Sequence, residues 1–169
     1  PQVSVMNYYK ANNSILALDS KYLLSAAYAT SGDRRSYNSM LPGSFSGEES
    51  VQETGGSFYS FLRDEAIALN AIVDVDPGNA QVGVMAKHVG NLLKSDPYAN
   101  TQERAFAFLA LGKIAKSAAQ SNVTSEIKAN GKTVAKVDGN WSGGSDELKS
   151  NNVEVVTKGS GRLYYTWVA

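Results

Sequence analysis

The 169-residue sequence contains no cysteine. This absence excludes disulfides, thiolate zinc sites and cysteine nucleophiles within these residues. It leaves the cellular compartment open, because a cysteine-free protein folds as well in the cytosol as in the periplasm. The chain begins at Pro1 with neither an initiator methionine nor a signal peptide, and we expect it to be a segment of a longer protein.

An excess of charge of either sign is also missing, since 16 Lys and Arg balance 16 Asp and Glu. Binding to nucleic acid requires a basic surface that replaces counterions, so we expect no nucleic-acid partner. There is no basic run typical of a membrane-surface patch. No apolar stretch approaches the roughly 20 residues of a membrane span, so we expect no direct membrane insertion of this fragment.

The composition changes near Ser121, which predicts an α+β fold in two regions. Residues 1–120 are rich in Ala, Leu and Tyr with apolar residues at helical spacing, whereas residues 121–169 carry β-branched residues, Gly-rich turns and alternation of period two. We therefore predict a helical region over 1–120 and a small antiparallel β region over 121–169.

Six helices are predicted in the first region. Their expected positions are 3–11, a helix capped by Asp19 that ends near Gly32, a short helix capped by Asp33 that ends before Pro42, and 58–74, 79–94 and 101–118. The second is expected to carry Tyr22, Leu23, Ala26 and Ala27 on one side. Asn100 and Glu103 form a capping-box pattern, and residues 42–57 read as a loop.

Two of these helices contain segments that are apolar nearly all round, 66–73 (AIALNAIV) and 105–111 (AFAFLAL). Such a belt indicates burial on both sides, whereas a helix at the rim of a bundle has one apolar stripe. The helix at 79–94 has this one-sided pattern, with Val82, Met85, Val89 and Leu92 facing in and Lys87, Asn91 and Lys94 facing out. Inner and outer helices that alternate predict two concentric layers, of which this chain supplies a part.

The second region is predicted to contain about four strands. Residues 123–129 alternate, Asn130-Gly131 favours a type I′ hairpin turn, and Lys132 to Asp138 returns. A third strand is expected at 153–158 and a fourth at 163–169. Four strands rarely complete a sandwich, so the region reads as half of one.

The segment 101–115 (TQERAFAFLALGKIA) resembles the last core helix of the thioester-containing domain in α2-macroglobulins and complement components, which typically starts with Thr-Gln and continues as a belt of Ala, Leu and Phe. The segment 63–69 (RDEAIAL) is similar to an earlier inner helix of bacterial members. The strand from Val123, the turn at 159–161 and the aromatic strand from Leu163 resemble, in this order, the β-sandwich that follows that domain.

This resemblance to the bacterial α2-macroglobulin family implies a partial α/α toroid over 1–120 and a half β-sandwich over 121–169. It implies a scaffold fragment of a broad-spectrum endopeptidase inhibitor that acts by entrapment. Its partners would be target proteases and the neighbouring domains of the full-length protein. Bacterial members are periplasmic and often lipid-anchored, which implies a periplasmic or envelope-associated lipoprotein.

The chain departs from the family at the reactive Cys-x-Glu-Gln thioester, because it has no cysteine and Gln102 has no such partner. In the family this motif lies upstream of the residues that match here, and the bait region is absent as well. We therefore assign no catalytic, cofactor-binding, metal-binding or thioester residue to this chain. We expect no enzyme activity and no cofactor.

Other candidate residues have simpler structural interpretations. His88 lacks an acidic neighbour at i±3 or i±4 and reads as the edge of an amphipathic helix. Adjacent Asp64 and Glu65 point about 100° apart on a helix, so they would not flank one glycosidic bond, and Arg63 suggests a salt bridge.

Two further groups of residues have the composition of binding sites. Asp74, Asp76 and Asn79 are spaced like the start of a calcium loop, but Met85 stands where the twelfth-position Glu is needed. Trp141, Tyr164, Tyr165 and Trp167 could stack on a sugar, although Tyr165 and Trp167 share a face that a half-sandwich would bury. Gly47 and Gly55-Gly56 form no phosphate-binding fingerprint.

The alternative interpretation is a fragment of an α/α-toroid carbohydrate-active enzyme, a lyase or a hydrolase, with a β-sandwich appendage. It predicts a cleft lined by separated carboxylates and an aromatic platform. The aromatics of the helical region lie in helical runs and are expected in the core: Phe58, Tyr59, Phe61, Phe106 and Phe108. A helical-repeat adaptor would need self-similar units of about 34 residues, which are not found.

Overall fold

The computed structural model describes residues 2–46, 59–119, 122–144, 146–149, 152–161, 163, 165 and 166. Within them the chain has the predicted α+β architecture, with six α-helices followed by a three-stranded antiparallel sheet. It divides into two compact units, Pro1–Ile114 and Ala115–Ala169, and the border lies within the last helix.

The helices are α1 (Val3–Ala11), α2 (Leu18–Thr30), α3 (Arg34–Met40), α4 (Phe61–Val75), α5 (Ala80–Ser95) and α6 (Thr101–Ala119). All six predicted helices are present with small displacements of their ends. Short 3₁₀ turns lie at Asn13–Ile15 and Asp146–Lys149. Residues 42–46 of the predicted loop belong to no helix or strand, and 47–57 lie outside the described residues.

The predicted caps are confirmed at two helices. The Ser36 backbone N–H donates to Asp33 Oδ1 at 2.9 Å. Asn100 and Glu103 form a reciprocal capping box, in which the Asn100 N–H donates to Glu103 Oε2 at 2.6 Å and the Glu103 N–H donates to Asn100 Oδ1 at 3.0 Å. At α2 the prediction is wrong, since Ala17 is the N-cap and Asp19 lies in the first turn.

Helix α4 lies at the centre of the first unit, where it packs against α2 and α5. Its residues supply much of one apolar cluster, whose buried members are Tyr22, Leu62, Ala66, Ala68, Leu69, Ile72, Val82, Met85, Val89, Ala99, Ala107, Ala110 and Ile114. The belt predicted at 66–73 is thus enclosed, as expected. Helix α5 buries Val82, Met85 and Val89 and leaves Lys87 exposed, which confirms its one-sided pattern.

The buried side of α2 differs from the prediction. Tyr22, Ser25 and Tyr28 are buried, whereas Leu23 is 47% exposed. The two large tyrosines set the orientation of the helix, because each buries its ring and still finds a hydrogen-bond partner for its hydroxyl. A second cluster contains Met6, Tyr28, Tyr37 and Met40.

The sheet consists of β1 (Thr124–Ala129), β2 (Lys132–Asp138) and β3 (Val153–Lys158) in the order β2-β1-β3, with both pairings antiparallel. The hairpin turn is confirmed, because Asn130 and Gly131 have positive φ values of 49° and 81°. Of the predicted fourth strand, Leu163, Tyr165 and Thr166 lie outside any strand and the remaining positions lie outside the described residues.

The segment that contains β1, β2 and β3 has its first and last residues next to each other. The Asn122 N–H donates to the Ser160 carbonyl at 3.1 Å. Gly159 has a φ of 108°, and a Cβ atom at this position would overlap the carbonyl oxygen of Asn122. Only glycine fits both the backbone conformation and the close approach.

Candidate functional site

His88 lies at the half-exposed edge of α5, as predicted. It has an acidic partner on another helix, which neighbours at i±3 and i±4 do not reveal. Its Nδ1 atom lies 2.5 Å from Glu65 Oε2 on α4. The exposed fraction of the side chain is 44% for His88 and 2% for Glu65. A buried carboxylate is therefore bonded to an imidazole that reaches the surface.

Aromatic rings border the pair on the side of His88. The Phe61 ring contacts the His88 ring edge to face, with 5.5 Å between the ring centres, and Phe45 contacts Phe61 in turn. Burial raises the pKa of the Glu65 carboxyl above its ordinary value, and the charge and hydrogen bond of His88 oppose this effect in part. One signal in the sequence could have indicated the pair: Glu65 begins an apolar run, and a buried carboxylate requires a partner.

Tyr22 belongs to a separate set of hydrogen bonds in the core. Its hydroxyl donates to Gln81 Oε1 at 2.6 Å, and Gln81 Nε2 donates to the Pro42 carbonyl at 2.8 Å. Burial, and next the negative charge of Glu65, raise the pKa of Tyr22 to about 12. The phenol therefore stays protonated at neutral pH and acts as a hydrogen-bond donor.

Asp64 and Glu65 do not act as a pair of carboxylates. Asp64 forms an ion pair with Arg63, with 2.8 Å between Oδ1 and Nη2, while Glu65 bonds to His88. The predicted salt bridge at the start of α4 is confirmed. Two carboxylates that share a bond-cleaving role would have to face one space, and these two face different partners.

The Asp-Pro-Gly-Asn turn between α4 and α5 is closed by protein groups. Tyr37 Oη and Asn79 Nδ2 donate to Asp76 Oδ2 at 2.9 Å and 3.1 Å. Asp74 instead pairs with Lys113 at 2.7 Å. Among the described residues no group of three or more His, Asp or Glu side chains is arranged to hold a metal ion.

Helix α6 has one flank open to solvent. We define the open flank of α6 as Ala105, Phe108, Leu109 and Gly112, all of which are exposed. Phe108 is 61% and Leu109 49% exposed, whereas Ala107 and Ala110 on the opposite side are fully buried. The prediction that Phe108 belongs to the core is wrong for the described residues, and the belt at 105–111 is covered on one side only.

Two aromatic residues of the second unit are exposed. Trp141 is 44% exposed and Tyr165, expected in a buried face, is 78% exposed. Tyr164 and Trp167 lie outside the described residues, as do Gly47, Gly55, Gly56 and Phe58. The described aromatics therefore do not form the buried face that the alternation predicted.

A shallow cleft of about 250 Å³ lies on the sheet of the second unit. Its lining residues are Thr124, Ser125, Glu126, Lys136, Val137, Asp138, Val156 and Lys158. Glu126 and Lys136 are paired residues of β1 and β2 and approach to 3.8 Å, so acidic and basic groups lie side by side in the lining. The balance of charge favours neither an anion nor a cation.

Comparisons of the chain with known protein families, curated proteins and solved structures found no match. In the part of the chain that the structure describes, none of the helices combines the length and the apolar character needed to cross a membrane.

Proposed function

We propose that this chain is a scaffold segment of an α2-macroglobulin-like protease inhibitor that acts by entrapment. The observation that carries the proposal is the open flank of α6, the helix with the Thr-Gln start and the apolar belt. Phe108 and Leu109 are 61% and 49% exposed there, although both are large apolar side chains. An apolar flank of this kind is stabilised by a covering layer, and a neighbouring helix of a longer protein would supply it.

The contrast between the two apolar helices supports this proposal. Helix α4 has cover from α2 on one side and from α5 on another. Helix α6 buries Ala107, Ala110 and Ile114 in the same cluster but leaves its other flank in water. In a two-layered ring of helices, α4 and α6 would both be inner helices, and the cover of α6 would come from elements beyond these residues.

The order of the elements is a second support. In the described residues, six helices precede a three-stranded antiparallel sheet, which is the order that the resemblance implies. Such a sheet needs a second sheet against its apolar face to complete a sandwich. In this proposal the partners are the target proteases and the neighbouring domains of the longer protein, and its location is the periplasm or the cell envelope.

Entrapment has a measurable signature that tests the proposal. A longer protein that contains this chain should bind an added protease after cleavage, block its action on large protein substrates and leave its action on small peptide substrates intact. The isolated chain should inhibit neither reaction. Inhibition of small-substrate cleavage by the isolated chain, or cleavage of a polysaccharide by the longer protein, would contradict the proposal.

Two variants of the longer protein link the assay to the open flank. Phe108→Glu places a charge where the covering helix should lie, and we expect it to reduce entrapment or the yield of folded protein. Val84→Glu is the matched control, because Val84 on α5 is 71% exposed and is assigned no cover. Equal behaviour of the two variants would remove α6 from the role proposed for it.

A further inference from the structure

The proposed entrapment assigns no role to the Glu65–His88 pair, and the position of the pair in the helical hairpin points to one of its own. Helices α4 and α5 are joined by the turn at 76–79. Glu65 and His88 each lie about ten residues from this turn, roughly 15 Å along the helix axes at 1.5 Å per residue. The hydrogen bonds of Tyr37 with Asp76 and of Tyr22 with Gln81 hold the turn end.

We propose that the Glu65–His88 pair is a pH-sensitive latch, which holds the open end of the α4–α5 hairpin closed and weakens as the pH rises. When the pair holds a proton between its two groups, a buried carboxylate faces an imidazolium, or its neutral acid faces a neutral ring. Loss of that proton leaves a carboxylate with no opposite charge in an apolar site, which is a costly state.

The latch should weaken as the pH rises, because loss of the proton leaves a buried carboxylate without an opposite charge. The raised pKa of the Glu65 carboxyl gives the same direction. Burial raises the pKa of Glu65 from its ordinary 4.5. A group whose pKa is higher in the folded state contributes stability that is complete below the ordinary value and is lost as the pH rises through the folded value. The latch should therefore be strongest in acid and weaken towards neutral and alkaline pH.

Tyr22 on α2 is an ionisable group that the charge of Glu65 affects, and Tyr37 on α3 in turn affects Tyr22. The remaining groups considered are the sequence neighbours Arg63 and Asp64 on α4 and Lys87 on α5, together with Glu103 on α6. Each of them is protonated, paired or exposed in a way that leaves His88 as the partner of the carboxylate.

The two tyrosines have pKa values of about 12 and stay neutral in the relevant range. Arg63 and Asp64 neutralise each other. Glu103 bonds to Ser60 Oγ and to the Asn100 N–H, and Lys87 is exposed. Changes in the hairpin between about pH 5 and pH 9 are thus assigned to the Glu65–His88 pair.

Hydrogen exchange on the intact chain tests the latch. Protection factors, which remove the intrinsic pH dependence of exchange, are measured for the amides of residues 85–92 from about pH 5 to about pH 9. We expect them to fall about tenfold in the wild type, the lower end of what a lost hydrogen bond to a charged group costs. In Glu65→Gln, which keeps a hydrogen-bonding group without the charge, they should change less than about twofold over this range.

Two other variants keep the test decisive. His88→Gln removes the charge and the hydrogen bond that oppose the effect of burial on the Glu65 pKa, so the fall should extend to a higher pH, and this variant decides the question if Glu65→Gln does not fold. Asp74→Asn is the control, because it removes the Asp74–Lys113 pair on the exposed side of α4 and should keep the wild-type profile. A flat wild-type profile, a wild-type slope in Glu65→Gln, or an unshifted profile in His88→Gln would overturn the proposal.

Discussion

The hydroxyl of Tyr37 donates a 2.9 Å hydrogen bond to Asp76 Oδ2 and so ties α3 to the turn between α4 and α5. Tyr37 is 2% exposed, so water cannot readily replace this donor. We predict that Tyr37→Phe lowers the free energy of unfolding by about 1.5 kcal/mol, the lower end for a bond to a charged acceptor, because Asn79 still donates to the same oxygen. Urea unfolding of the wild type and the variant measures this change in the free energy of unfolding. Tyr98→Phe is the control, since Tyr98 is 92% exposed, and an equal loss in both variants would contradict the prediction.

The buried tyrosines also predict a loss of stability at alkaline pH. Burial raises the pKa of Tyr22 and of Tyr37 from 10.0 to about 12. Because these values exceed the ordinary one, the stability they contribute is complete below pH 10 and is lost as the pH rises towards 12. Urea unfolding at a series of pH values, together with the ultraviolet absorbance of tyrosinate, measures this effect. In the double variant Tyr22→Phe/Tyr37→Phe the free energy of unfolding should decline less steeply as the pH rises. If the decline is unchanged, groups other than these two tyrosines cause it.

The enclosed and the open apolar helices should respond differently to loss of a leucine side chain. Leu69 on α4 is fully buried, so Leu69→Ala should cost about 2–5 kcal/mol through lost transfer energy and a cavity. Leu109 on α6 is 49% exposed, so Leu109→Ala should cost less than about 1 kcal/mol in the isolated chain. Denaturant unfolding of both variants measures the difference, and similar losses would mean that the flank of α6 is covered in solution.

Two glycines should respond to alanine with opposite signs. Gly131 occupies the second position of the β1–β2 turn with a φ of 81°, so Gly131→Ala should destabilise the β-sheet unit by roughly 1 kcal/mol. Gly112 lies inside α6 with no atom within 4 Å of an added Cβ, so Gly112→Ala should stabilise the helix by about 0.5–1 kcal/mol. Thermal unfolding followed by circular dichroism measures both changes. Destabilisation by Gly112→Ala would indicate a close neighbour at this position in solution.

Local patterns predicted the elements of this fold well. The capping box of Asn100 and Glu103 and the turn at Asn130-Gly131 depend on residues close in sequence, and both are present. The one-sided pattern of α5 likewise determines which side it buries. Turn chemistry and periodicity act over a few residues, so a single sequence contains the information they need.

Sequence periodicity does not predict contacts between residues that are distant in sequence. Glu65 and His88 are 23 residues apart, and a search at i±3 and i±4 finds only neighbours on the same helix. The apolar pattern predicts Leu23 on the buried side of α2, but the hydrogen bonds of Tyr22 and Tyr28 with Gln81 and Asn7 turn that helix differently. The need of the buried hydroxyls for hydrogen-bond partners, and not the number of apolar residues on one face, determines which side of α2 is buried.

The hydrogen bond between Asn122 and Ser160 brings the entrance and the exit of the three-stranded segment to one place. A segment whose two ends lie next to each other can be inserted into another protein without moving the residues that flank the insertion point apart. The residues from 123 to 159 could therefore be spliced into a surface hairpin of an unrelated host without stretching its backbone. The same closeness makes Asn130-Gly131, at the far tip, the natural place to open the segment and create new termini.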